Sequence, residues 1–167
     1  MKHADVFVKK QEMLAAGLSE QEVMETVMQG IAAFRMSQTE RLNALMKMQV
    51  LGCDAEKQSL RLGFLVEEWQ LNPAGTLHGG MYATAVDIGL GMLAHYYGNG
   101  YYCVTTNMNL NYIRPIRKGD MLVVETCMEK AGRSLMSLTV RGWAASDGKT
   151  AVTASGTYMV SDRKIGE

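Results

Sequence analysis

The chain has 167 residues, 47% hydrophobic and 20% charged, with 17 basic residues balanced by 17 acidic ones. That length fits one domain large enough to bury roughly 70% of its unfolded surface, and zero net charge without a basic run argues against broad electrostatic binding of nucleic acid. The opening MKHADVFVKKQEM has no apolar core of secretory-signal length, and the three cysteines (Cys53, Cys103, Cys127) show no metal-ligand or CxxC spacing, so free thiols in a cytoplasmic protein are expected.

In chain order, a short helix is possible over residues 6–16. Ser19-Glu20-Gln21-Glu22 then has the form of a capping box, with Ser19 as N-cap and Glu22 at the third helical position. Val23, Val27 and Ile31 follow at helical spacing, which predicts an amphipathic helix over residues 19–35. Residues 37–43 form a polar connector. From Leu45 the period becomes two: Met46, Met48 and Val50 alternate up to Gly52, predicting a strand. A polar turn at residues 54–57 leads to a second alternation through Leu60, Leu62, Phe64 and Val66, so the pair is predicted as an antiparallel hairpin.

Asn72-Pro73 and Gly75 stop the chain with turn chemistry. Residues 79–97 then predict one long helix with apolar residues on every face, as expected of a buried core helix. Its glycines and Asp87, the one charged side chain between His78 and His95, argue against a lipid span. A carboxylate among Ala, Val, Ile and Leu is costly without partners. Either Asp87 is structural, bonded to a neighbour such as Thr84, or the protein uses it. After the Gly98-Asn99-Gly100 turn come four more predicted strands, over residues 102–112, 121–128, 135–144 and 150–160, with Asp147-Gly148 as a hairpin dipeptide. In the first of these, Tyr102, Val104, Thr106, Met108, Leu110 and Tyr112 are expected on one face, with Thr105 and the asparagines on the other. Residues 161–167 are expected to fray. A buried helix among so many antiparallel strands needs a strongly curved sheet around it, which makes the fold class α+β.

The element order, the run Asn72…Gly75-Thr76-Leu77-His78-Gly79-Gly80…Asp87 and the later Asn109-x-x-Tyr112-x-x-Pro115 resemble the hotdog-fold acyl-CoA thioesterases. The branch is the phenylacetate-pathway and THEM-type one, within the 4-hydroxybenzoyl-CoA thioesterase-like superfamily. The resemblance implies a hotdog domain over residues 45–161 with an N-terminal helical extension over residues 1–44. It implies that the Gly79 backbone N–H polarises a thioester carbonyl and that Asp87 is the general base or nucleophile. Asn72 positions water or thioester, His78 supports the loop, and Thr105 assists the carboxylate. Gly80, bare of side chain, lets substrate approach the backbone. Arg114, Arg117, Arg133 and Ser134 fall where such enzymes often contact coenzyme A phosphates, the alternative for each being a solvated loop. No metal or redox cofactor is implied, coenzyme A being part of the substrate.

The physical chemistry is consistent with those roles. An unpaired N–H at a helix N-terminus stabilises charge developing on a carbonyl oxygen, and a carboxylate against apolar walls is poorly hydrated and suited to taking a proton from water. Gly79 and Asp87 lie eight residues apart on one helix, about 12 Å along its axis. One carbonyl cannot meet both from one chain, so the expectation is a two-fold dimer with shared sites, and the resemblance adds tetramers of paired dimers. A non-catalytic acyl-CoA-binding module is the alternative, and an acyl-CoA hydratase a more distant one.

Overall fold

The computed structural model describes residues 3–166. Two helices come first, α1 (His3–Ala15) and α2 (Glu20–Met36), followed by the single turn α3 (Leu42–Leu45). The Ser19–Glu22 capping box forms in both directions, so α2 starts where the sequence predicts. Six strands follow: β1 (Gln49–Asp54), β2 (Ser59–Leu65), β3 (Tyr101–Tyr112), β4 (Met121–Ala131), β5 (Leu135–Ala144) and β6 (Thr150–Lys164). The long helix α4 (Gly79–Tyr97) sits between β2 and β3 in the chain. All strand pairs are antiparallel, in the order β1-β2-β4-β5-β6-β3.

The sheet curves around α4, which packs against β2, β3, β4, β5 and β6. Leu90, Met92, Leu93 and Ala94 are fully buried. A helix this apolar loses about 1 kcal/mol for each interior glycine, and close packing offsets the loss. A Cβ at Gly89 would stand 2.7 Å from the Thr126 hydroxyl oxygen, and one at Gly156 would stand 2.7 Å from a Leu90 methyl. Helix and sheet therefore approach more closely than alanines would allow. Helix α2 covers β1 and also touches α4, its Val23, Met24, Met28 and Ile31 merging into the same core. Helix α1 is tied to the far end of α4 by Lys10, whose ammonium donates to the Tyr96 carbonyl (2.8 Å) and the Asn99 amide oxygen (2.7 Å) while lying over the Tyr96 ring.

Three local expectations are corrected. The first strand begins at Gln49 rather than near Leu45, because α3 and a left-handed Lys47 (φ 47°) intervene; Met46 and Met48 are buried without belonging to a strand. The C-terminal segment is not frayed within the described residues. β6 continues to Lys164, and Ile165, buried, donates its N–H to the Gly100 carbonyl at 2.7 Å; Glu167 lies outside the described residues. In β3 the strict alternation fails. Register shifts at Tyr101/Cys103 and Thr105/Asn107 turn Cys103 inward and leave Val104 46% exposed, while Met108 and Leu110 pack inward further on. A bulge re-aims side chains in this way, and it allows Thr105 to reach α4.

Candidate active site

The stretch before α4 is a folded loop. The Asn72 side chain closes it on itself: Oδ1 accepts from the N–H groups of Ala74 (3.0 Å) and Thr76 (3.2 Å), and Nδ2 donates to the Thr76 hydroxyl (3.0 Å). Gly75 takes a left-handed φ of 73° that a side chain would resist. The loop is pinned to the rest of the protein by Leu77 N–H to the Ile116 carbonyl (2.8 Å) and His78 N–H to the Gln70 carbonyl (2.9 Å). His78 is the N-cap of α4, its Nδ1 accepting from the Gly80 N–H at 2.9 Å. The Met81 and Tyr82 N–H groups return to the His78 carbonyl. That leaves Gly79: among the described residues its N–H has no acceptor. It opens on a cavity of about 300 Å³ with Asn72, Tyr82, Tyr112 and Arg114 on its walls, and the Tyr112 hydroxyl donates to the Gly79 carbonyl at 3.3 Å.

Two turns further along, Asp87 lies in a second cavity, of about 710 Å³. Its Oδ1 accepts from the Thr105 hydroxyl at 2.9 Å and the Tyr158 hydroxyl at 2.5 Å. Thr84 is not its partner; that hydroxyl donates to the Gly80 carbonyl at 2.9 Å, the usual back-bond of a mid-helix threonine. Asp87 is half-buried rather than enclosed by apolar walls, and the cost of its charge is met by two hydroxyl donors. Tyr158, 2% exposed, is the functional candidate that sequence reasoning missed. Burial first, then the carboxylate beside it, push its pKa far above the ordinary tyrosine value, so it remains a hydrogen-bond donor at any working pH. Its one sequence signal was a tyrosine at an inward position of the last predicted strand.

The structure thus gathers Asp87, Thr105 and Tyr158 in one cavity and Gly79, Asn72 and Arg114 in another, with His78 and Gly80 forming the helix cap between loop and helix. Arg117 is exposed on the segment that pairs with Thr76. Arg133 lines a third cavity with Tyr97, Tyr101 and Met136, and the backbone of Ser134 holds Val160. Arg114 and Arg133 therefore do not converge within one chain. Among the described residues, no helix is long and apolar enough to cross a membrane.

The sequence pattern of the thioesterase superfamily matches residues 74–151. Mouse acyl-coenzyme A thioesterase 13 is 32% identical over 116 residues, covering 62% of this chain and 83% of that protein. Zebrafish thioesterase superfamily member 2 superposes with a TM-score of 0.70 at 26% identity, over 86% of this chain and 100% of that one. The E. coli PaaI protein from the phenylacetic acid degradation operon shares the fold, with a TM-score of 0.69 at 15% identity over 82% and 96% of the two chains.

Proposed function

The chain belongs to the thioesterase superfamily, and from that membership we propose that it hydrolyses an acyl-coenzyme A thioester, with Asp87 as the catalytic carboxylate and the Gly79 N–H of a second copy as the oxyanion donor. One observation carries the reading: a single helix presents an unpaired N–H at its first residue and a carboxylate held by two hydroxyls two turns later, in separate cavities.

In the simplest sequence, Asp87 takes a proton from water as the water oxygen attacks the thioester carbon. The carbonyl oxygen becomes an oxyanion and is stabilised by the Gly79 N–H at the positive end of the α4 dipole. Collapse re-forms the carbonyl and breaks the C–S bond, and the proton held by Asp87 passes to the leaving thiolate. Tyr158 and Thr105 hold the carboxylate in place through Oδ1, leaving Oδ2 for the water. Asn72 acts by shaping the loop that presents Gly79.

The separation of about 12 Å along α4 requires the two groups to come from two subunits. β3 offers the surface for this. It is the last strand of the sheet, twelve residues long with most side chains exposed, and such an edge invites pairing with a second copy. Thr105, one of the Asp87 partners, lies on that edge.

The test is thiol release from a panel of acyl-CoA thioesters by the wild type and Asp87→Asn. Asparagine keeps the shape of the side chain but cannot take the proton. Hydrolysis by the wild type and its near-complete loss in a folded, oligomeric variant supports the reading. Acyl-CoA binding without turnover by either protein would make the chain a binding module instead.

A further inference from the structure

The cavity around Asp87 is much larger than a base and one water require, and its far wall is built by the N-terminal helices. Asp87, Gly91 and His95 recur every fourth residue and form one stripe along α4. Arg35, in the last turn of α2, lies over the middle of that stripe. A Cβ built on Gly91 would be 4.0 Å from its Nη2, and Nη2 is 3.5 Å from His95 Nδ1. That His95 nitrogen is also 2.6 Å from the Gly91 carbonyl oxygen. So short a contact places the proton on Nδ1, donating to the carbonyl, and removes this nitrogen as an acceptor for Arg35. Among the described residues no carboxylate is within ion-pair distance of the guanidinium.

Neither of two ordinary roles holds the Arg35 guanidinium in a direct contact. As a last-turn cation it could serve the C-terminal carbonyls of α2, but those of Ala33, Phe34 and Arg35 are taken by the Ser37 N–H, the Ser37 hydroxyl and the Gln38 N–H. As a counter-ion it could pair with Asp87, but among the described residues the two make no contact of ion-pair length, and Asp87 acts on it only from a distance. Arg35 is half-buried, and burial lowers its pKa to about 10, with the charge of Asp87 opposing the shift. It lines the cavity that holds Asp87. A guanidinium so placed is costly without an anion.

We propose that the acyl group this enzyme hydrolyses ends in a carboxylate and that Arg35 binds it, so that the substrates are ω-carboxyacyl-CoA thioesters. The proposal rests on Asp87 acting at the thioester carbon. The cavity carries two guanidinium groups, Arg35 and Arg41, against the one carboxylate of Asp87, which favours an anionic guest. The planar fork of arginine suits a carboxylate in a two-point contact. Asp87 and Gly91 are about 6 Å apart along the helix, a span matched by a diacid chain of about four to six carbons. A neutral alkyl chain in the same place would strip water from the guanidinium and return nothing.

The test compares kcat/KM for glutaryl-CoA and adipyl-CoA with valeryl-CoA and hexanoyl-CoA, using the full chain as wild type, Arg35→Gln and Arg35→Lys. The wild type is expected to favour the carboxylated member of each pair by at least about tenfold. Arg35→Gln should reduce that preference by at least about tenfold, mainly through KM, and Arg35→Lys should restore part of it. A wild-type preference for the neutral acyl groups overturns the proposal. So does an equal loss on both classes in Arg35→Gln, which would make Arg35 an electrostatic partner of Asp87. If Arg35→Gln does not fold, the wild-type preference decides. Absence of any thioester hydrolysis, in contrast, removes the thioesterase reading itself.

Discussion

The two cavities along α4 are built in opposite ways. The one at Gly79 is built from two short segments, residues 72–82 and Tyr112–Pro115, which line it equally, and its chemical group is a backbone N–H exposed by the local geometry of a helix start. The one at Asp87 is assembled from α2, α4, β3, β6 and the C-terminal residues Ile165 and Gly166, and its chemical groups are all side chains. A backbone donor survives any substitution except proline that leaves the helix intact. A carboxylate set between two hydroxyls from different strands depends on the whole sheet keeping its register.

That contrast predicts a ranking of losses. Asp87→Asn is expected to be the most damaging, reducing kcat by about 10²–10⁴-fold. Gly79 tests the backbone end, and the sensitive variant is proline. His78 already has the extended φ of −64° and ψ of 140° that a residue before proline prefers, and proline is favoured at the first helical position. Gly79→Pro should therefore fold normally, lack only the N–H, and lose about 10²–10³-fold in kcat. Gly79→Ala, which keeps the N–H and places its methyl 3.7 Å from the Tyr112 ring, should stay within a few-fold of wild type. Mixing refolded Asp87→Asn and Gly79→Pro subunits then decides whether the cavities cooperate across subunits. A mixed dimer has one site with both groups intact, so equal mixing should recover up to about a quarter of the wild-type rate. No recovery would place both groups at separate functions.

At the Asp87 end the hydroxyls should matter less than the carboxylate. Tyr158→Phe and Thr105→Ala each remove one donor to Oδ1, and each should cost about tenfold in kcat. Their combination should cost more than the product of the two, because the first loss leaves the second donor to hold the carboxylate alone. Strictly multiplicative losses would mean that the hydroxyls act independently and that Asp87 is positioned by α4 itself.

The same contrast explains what could be read from the residues. The loop and the helix over residues 79–97 are local features, legible from turn residues, spacing and glycines, whereas the roles of His78 and Gly79 came from family resemblance, and the histidine's place as helix cap came from the structure. The Asp87 position was legible as an isolated charge in an apolar run. Its partners were not. Thr84, the neighbour on the same helix, bonds to its own backbone, whereas the actual donors stand 18 and 71 residues away in sequence. Thr105 was reached through family resemblance, and the bulge that turns it inward leaves no mark in the alternation of β3. Tyr158 depends on β6 pairing between β5 and β3, which no local pattern specifies. Arg35 looked like an ordinary charge at the end of an amphipathic helix, and only the packing of α2 over Gly91 gives it a cavity to face.

The smallest effects should distinguish the sheet side of α4 from its cavity side. Gly89 and Gly91 are two residues apart, and both are buried in the same helix. Alanine at either gains up to about 1 kcal/mol of helix propensity. At Gly89 the new Cβ would be 2.7 Å from Thr126 Oγ1 and 3.3 Å from a Val124 methyl. Both belong to β4 in the fully packed core, so the helix or strand must move, at a cost of about 1–3 kcal/mol. At Gly91 the nearest atom is the Tyr158 hydroxyl at 3.5 Å, an ordinary contact at the edge of an open cavity. Thermal melts should therefore place Gly89→Ala below wild type and Gly91→Ala level with it or above. Gly91→Ala should change activity instead, since its methyl lies between Asp87 and Arg35 where the acyl group would run. A melting temperature lowered equally by both substitutions would mean that α4 is packed as tightly on its cavity side as against the sheet, with no space there for an acyl chain.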